Sequence, residues 1–302
     1  MGRTLRKSVT DLFDMQDEIV CRLANTVDDA LLVAEARRSE RSLHPDATDL
    51  EFLGRASFNK GQTLENLTEA RGFFERALAL ESSHVRALIG IALVDMAIGN
   101  GLVPDDRTAR FTTAEATLIK ALSLAPESAA AHAYLGIAKI STNRGVEGIA
   151  ECEHALALDR NLAYAHACIG LGKLYTGRAA ETEAHIQEAL RLSPRDANAY
   201  YWIMFLGTAK ILIRADAEAV VWLRRSINGN RNLPFTHFAL AAALAHLGLL
   251  DEARAALQAG LALFPSYTLR RFRNGALSNN STYLAERERI YEGLRLAGLP
   301  EG

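Results

Sequence analysis

Three short stretches constrain this chain more than any other feature: KALSLAP at 120–126, EALRLSP at 188–194 and AGLALFP at 259–265. Each is an apolar helical phrase closed by a proline. Pro126 and Pro194 stand 68 residues apart, two periods of 34, and Pro265 follows 71 residues later, two periods plus three. Between the first two, LALDRN at 156–161 puts Arg160 midway. A fixed period in this range is the mark of a solenoid, in which each unit buries its apolar face only against its neighbours. Ala, Leu, Glu and Arg dominate, only 7 prolines occur in 302 residues, and alternating β-branched runs are nearly absent. The units are therefore expected to be helical.

Small residues recur where two antiparallel helices would cross. In 129–162 they are Gly136, Gly148 and Ala155; in 163–196, Gly170, Thr182 and Ala189; in 234–267, Ala241, Ala253 and Gly260. Helix axes approach to about 8–10 Å only where the contact side chains are small. The closing proline ends the second helix and turns the chain into the next unit. Three less regular units, 47–84, 85–128 and 197–233, complete an array over 47–267, with insertions of four, ten and three residues. This period and these positions resemble the tetratricopeptide repeat (TPR), and the expected fold is an all-α, right-handed TPR superhelix of six helical hairpins. The flanks are expected to cap it. Residues 1–46 form a helical segment, with Phe13, Ile19, Val20, Leu23, Val27 and Leu31 at helical spacing. Residues 268–302 hold a capping helix that Ser281 opens and Gly298 closes.

In TPR proteins the first helix of each unit lines the concave surface, and members that grip an acidic peptide terminus place Lys, Asn and Arg there. This chain departs from that pattern. It offers Tyr164 and Tyr175 in the fourth unit, Tyr201 and Phe205 in the fifth, and Phe235 and Phe238 in the sixth. An uncharged aromatic wall is costly to leave in water. It implies either a groove for an apolar peptide or amphipathic helix, or cover by the chain's own terminal helix. A small hydrophobic ligand is a lesser alternative. The insertion GLVPDDRTARF at 101–111 is read as a solvated loop and an early start to the next helix. Its alternative reading is a docking edge formed by Asp105, Asp106, Arg107 and Arg110.

Features that resemble catalytic machinery have simpler readings. His132, His166 and His237 share the fourth position of their units and are expected to pack rather than bind metal, because units lie about 10 Å apart and zinc ligands sit about 2 Å from the ion. His154 and His185 are expected on the solvated outer side. GLGK at 170–173 lies inside a helix, and lacks the loop a phosphate cradle needs. Asn280-Ser281-Thr282 reads as a helix N-cap. Cys21, Cys152 and Cys168 are too far apart for a disulfide framework. A net charge of −2 argues against nucleic acid as a main partner. No apolar run suits a secretory signal or a membrane span. The expectation is a cytoplasmic, non-enzymatic protein-binding scaffold with no cofactor and no metal.

DLFDMQDEIVCRLA (11–24), FLGRASFNKG (52–61), EARGFFERALAL (69–80), ECEHALALDRNLA (151–163), EALRLSPRDANAY (188–200) and YLAERERIYEGLRLAGLPEG (283–302) carry a closer resemblance. They are similar to the C-terminal region of bacterial, rhizobial-type regulators. There a class III adenylate/guanylate cyclase or winged-helix domain precedes the TPR array. The resemblance implies that residues 1–46 connect to an upstream domain absent from this chain. The alternative function is thus the detached regulatory part of such a regulator. No catalytic residue carries over.

Overall fold

Left-handed residues set the rhythm of the chain. The computed structural model describes residues 31–61, 63–101 and 107–302, and among these it contains helices and no strand. After a described stretch of α1 over 31–39 come α2 (Ala47–Asn59), α3 (Leu64–Leu80), α4 (Val85–Gly101), α5 (Arg107–Leu124), α6 (Ala129–Ser141) and α7 (Gly145–Leu158). They continue as α8 (Ala163–Tyr175), α9 (Thr182–Leu192, led by a 3₁₀ turn at Ala179–Glu181), α10 (Ala199–Leu212), α11 (Asp216–Gly229), α12 (Pro234–His246) and α13 (Leu250–Leu263). The short α14 (Leu269–Asn274) and α15 (Ser281–Ala297) close the chain.

From α2 to α13 each even-numbered helix pairs with the next, and each pair leans on the following one. The turn inside four successive pairs is built alike. Asn143, Gly177, Arg214 and Gly248 take positive φ of 65°, 74°, 65° and 76°. The next residue's N–H then reaches the carbonyl five back: Arg144 to Lys139 (3.0 Å), Arg178 to Lys173 (2.9 Å), Ala215 to Lys210 (2.8 Å) and Leu249 to Leu244 (3.0 Å). That bond satisfies a carbonyl the first helix would otherwise leave open, and it reverses the chain sharply. Gly298 ends α15 the same way, at φ 97°.

Within a pair, the small residues admit close contact. A Cβ on Gly148 would lie 2.4 Å from the Gly136 carbonyl oxygen and 2.9 Å from the Ile140 nitrogen, so only a glycine fits. Elsewhere a hydroxyl fills the slot and uses its polarity: Thr182 donates to the Gly170 carbonyl at 3.1 Å and Ser226 to that of Tyr200 at 2.7 Å. Both are fully buried and both are satisfied, which removes the cost of burying them. Cys152 and Cys168 are buried in the same seams.

The fourth-position histidines form a further repeated device. His132 Nε2 meets the Pro126 carbonyl at 3.0 Å and His237 Nε2 that of Arg231 at 2.9 Å, each six residues back. His166 engages the Arg160 backbone in the same register. Each imidazole pins the loop that enters its unit, which explains the recurrence without a metal.

Candidate functional site

The even-numbered helices present one face, and the aromatic residues expected on it sort by which end of their helix they occupy. Tyr164, Tyr201 and Phe235 stand in the first turn of α8, α10 and α12, and Phe205 one turn further along α10. All four are only partly buried. Tyr164 lies 4.7 Å from the Tyr134 ring, and Tyr201 is 4.6 Å from Tyr200 and 6.5 Å from Phe205. Burial raises the phenol pKa of Tyr201 well above its ordinary value and pushes that of Tyr134 up to about 12. These rings therefore present neutral hydroxyls at any ordinary pH.

The carboxyl ends of the same helices are covered by the chain itself. α15 lies mainly along α12 and also touches α10 and α13. Its first turn brings Tyr283 within 5.3 Å of Tyr175, the last residue of α8. One turn and a half later, Arg289 pairs with Asp216 and donates through Nε to the Ile211 carbonyl at 3.1 Å. The Arg289 carbonyl in turn meets His246 Nε2 at 2.7 Å. Next, Gly293 rides on Ala242, where an added Cβ would come 2.7 Å from the Ala242 carbonyl oxygen and 2.8 Å from its Cα. The chain end then ties back, with the Pro300 and Glu301 carbonyls accepting from Leu269 and Arg270 N–H at 3.0 Å each.

Phe238 differs from the other five aromatic residues. It is 3% exposed, stacks on Tyr267 at 4.3 Å, and fills the space that Gly260 leaves open. Its ring is core rather than groove wall. Phe235 beside it is partly covered by Tyr267 (5.8 Å) and Phe264 (6.4 Å). The chain therefore replaces a continuous wall with an open row at the amino ends and a filled row at the carboxyl ends.

Several residues that matter here were not read from the sequence. Arg287 is 3% exposed, donates through Nη2 to the Phe272 carbonyl at 2.7 Å, and lies over the rings of Phe272, Tyr291 and Tyr283 at 4.2, 5.4 and 5.8 Å. Tyr283, Arg287 and Tyr291 recur every four residues, the spacing of one helix face, and that signal was available. In the first two units the equivalent face carries charge: Glu51 is fully buried and neither of its oxygens has a hydrogen bond, with Arg55 3.7 Å away. Burial raises the Glu51 pKa, against the pull of Arg55, Arg86 and His84.

Asp105 and Asp106 of the proposed docking edge lie outside the described residues. Arg107, which begins α5, turns to its own chain: it donates to Asn100 Oδ1 at 2.8 Å and lies 4.6 Å over the Phe111 ring. Arg110 pairs with the buried Asp95 at 3.1 Å, where Arg71 joins at 2.5 Å. These two arginines thus anchor α5 to α4. His185, expected in solvent, is partly buried 6.3 Å from His166, because the slot beside the fourth-position imidazole shelters it. Within the Asn280-Ser281-Thr282 triplet, Asn280 is the N-cap of α15, accepting from the Tyr283 N–H at 3.0 Å, and Ser281 is the first helical residue.

Among the described residues no group of three or more His, Cys, Asp or Glu side chains gathers to hold a metal ion, and no helix is long and apolar enough to cross a membrane. No family model matches the chain and no curated protein matches its sequence. Solved structures do match. The crystal structure of the APC/C hetero-tetramer Cut9–Hcn1 aligns with a TM-score of 0.65 at 16% identity, over 90% of this chain and 57% of that one. The present chain thus spans a little over half of that relative's length. A tetratricopeptide repeat protein from Parabacteroides merdae ATCC 43184 aligns with a TM-score of 0.54 at 16% identity, over 93% of this chain and 99% of that one. With the paired helices, the shared turn and the small-residue seams, these likenesses identify the fold as an all-α TPR solenoid.

Proposed function

We propose that this chain is a non-enzymatic protein-interaction scaffold that holds an apolar or amphipathic segment of a partner protein along the amino-end row of its first helices. The observation that carries the reading is the half-buried set Tyr164, Tyr201, Phe205 and Phe235, left open while the other end of the same face is filled. Aromatic rings that stay partly in water are poised for burial by a partner. Their shallow arrangement across successive helices suits an extended or helical segment better than a compact ligand. The basic residues of the first two units, Arg55 and Arg86, would meet the polar end of such a segment, Glu51 being fully enclosed beside Arg55. A regulatory arm of a cyclase or winged-helix regulator is an alternative that no feature of the described helices favours.

The test is selection from a displayed library of random peptides, run on the wild-type chain and on the Tyr201→Asp/Phe205→Asp variant. The expected outcome is enrichment of apolar or amphipathic sequences whose binding falls at least tenfold on the variant, with helical content unchanged. Peptides that bind both proteins equally would sink the reading.

A further inference from the structure

The carboxyl-end row is filled by α15, but the fit is incomplete in a way that describes a second ligand. Asp216 is buried, and of its two carboxylate oxygens only Oδ2 receives Arg289; Oδ1 has no hydrogen bond. Arg289 reaches Asp216 through Nη2 alone, with its Nε turned to the Ile211 carbonyl. Two α15 groups are also stranded while the helix is seated: Arg287 Nη1 and Glu286 Oε2 are buried without partners, and burial raises the Glu286 pKa. The floor beneath α15 is otherwise well made for a helix. Ala242 and Ala245 of α12, the helix that α15 chiefly lies on, are each under 5% exposed, and the Ala242 backbone admits only a residue without a side chain.

We propose that the floor beneath α15 is a helix-binding site separate from the aromatic row, with α15 as its resident and replaceable occupant. The partner it fits is a protein helix carrying an arginine and, one turn later, a glycine, with apolar residues on the same face. The arginine faces Asp216, and the glycine faces Ala242. A partner arginine that presents two nitrogens to both Asp216 oxygens gains a bond that α15 leaves unmade, and paired donors of this kind are among the stronger contacts a carboxylate can make. Departure of α15 returns Arg287 Nη1 and Glu286 to water, which removes the penalty of their burial. Against this stands the tether: α15 is held close by residues 275–280, so an external helix competes with a high local concentration of the resident one. Exchange is therefore slight for a poor match and substantial for a helix with the right register.

The probe is a labelled peptide of residues 279–300, added to the full wild-type chain and to the full chain with Gly293→Leu, whose added side chain lifts α15 off Ala242. The expected result is uptake by the variant at least tenfold tighter than by the wild type. It should be lost at least tenfold when the peptide itself carries Arg289→Ala or Gly293→Leu. If the G293L chain loses its helical signal, the Arg289→Ala chain is measured in its place against the same peptides. A helical variant that binds no better than wild type, or that accepts the Arg289→Ala peptide equally, overturns the proposal. Concentration-dependent dimers of the wild-type chain that the peptide dissolves would assign the site to a second copy and also overturn it. Tyr201→Asp in the same chain should leave peptide uptake within twofold, so this result stands or falls independently of the aromatic row.

Discussion

The two ends of the first-helix face are built from the same elements and have reached different ends. At the carboxyl ends of α8, α10 and α12, α15 packs mainly on α12, meets Tyr175 through Tyr283, and is held in place by an ion pair and a histidine. At the amino ends, Tyr164, Tyr201, Phe205 and Phe235 stay partly in water. The difference shows that a solenoid's binding surface is not fixed by its repeats alone. The same inward-facing positions become core where a flanking segment reaches them, and surface where none does.

Truncating one ring that the chain encloses and one that it leaves open is the strongest way to break that comparison. Phe238→Ala should cost about 4 kcal/mol, because the ring is fully enclosed by Tyr267 and the backbone at Gly260 cannot collapse into the void. Phe205→Ala should cost only about 1 kcal/mol, since water already reaches its ring. Urea unfolding of both variants checks the pair; equal losses would mean that cover by the chain's own segments does not set the two rings apart. Between these values lies Asp216→Ala, at about 3 kcal/mol, because it leaves Arg289 largely buried without its anion. Its damage should be local, with faster amide exchange over 281–297 and little change in α2–α7. Arg214→Gly should be a small gain of about 1 kcal/mol in thermal stability, since a non-glycine residue there sits at φ 65° where Gly177 and Gly248 serve the equivalent turns.

The helical solenoid was legible because its signals are local. A proline every two periods, a small residue at each crossing and a histidine at the fourth position of three units need no knowledge of distant contacts. The expectation that α15 would be a helix rested on its cap and its glycine stop, and those too are local. What the residues could not show is which surface α15 would choose. Its stripe of Tyr283, Arg287, Ile290 and Leu294 announces a buried face, but Arg289 finds Asp216 across 73 positions of sequence. Phe238 illustrates the same limit. Its position in the repeat puts it among the wall residues, and only the absence of a side chain at Gly260 and the arrival of Tyr267 make it core. Glu51 went unread because a carboxylate on an inner position looks solvated until its burial is seen.

The fourth-position histidines allow a finer comparison, among units rather than between ends. His132 and His166 both pin an entering loop, but Nδ1 of His132 meets the Glu151 carboxylate at 2.8 Å while Nδ1 of His166 is buried and has no hydrogen bond. Burial lowers the His166 pKa below the ordinary value, with Glu188 opposing it only in part. A lowered folded-state pKa means the unfolded chain binds the proton more tightly. The stabilisation is therefore present above about pH 6.5 and is lost as pH falls from there toward the folded value. Acidification from pH 7.5 to 5.5 should thus loosen the fourth unit selectively, seen as a larger loss of amide protection, relative to the intrinsic exchange rate at each pH, over 163–192 than over 129–158. His166→Tyr, which copies the residue that the fifth unit carries at Tyr200, should shrink that difference, the remainder falling to His185, whose pKa burial also lowers. If amide protection in the two units falls equally with acid in the wild type, or His166→Tyr leaves the difference whole, the buried Nδ1 is not what sets the fourth unit apart.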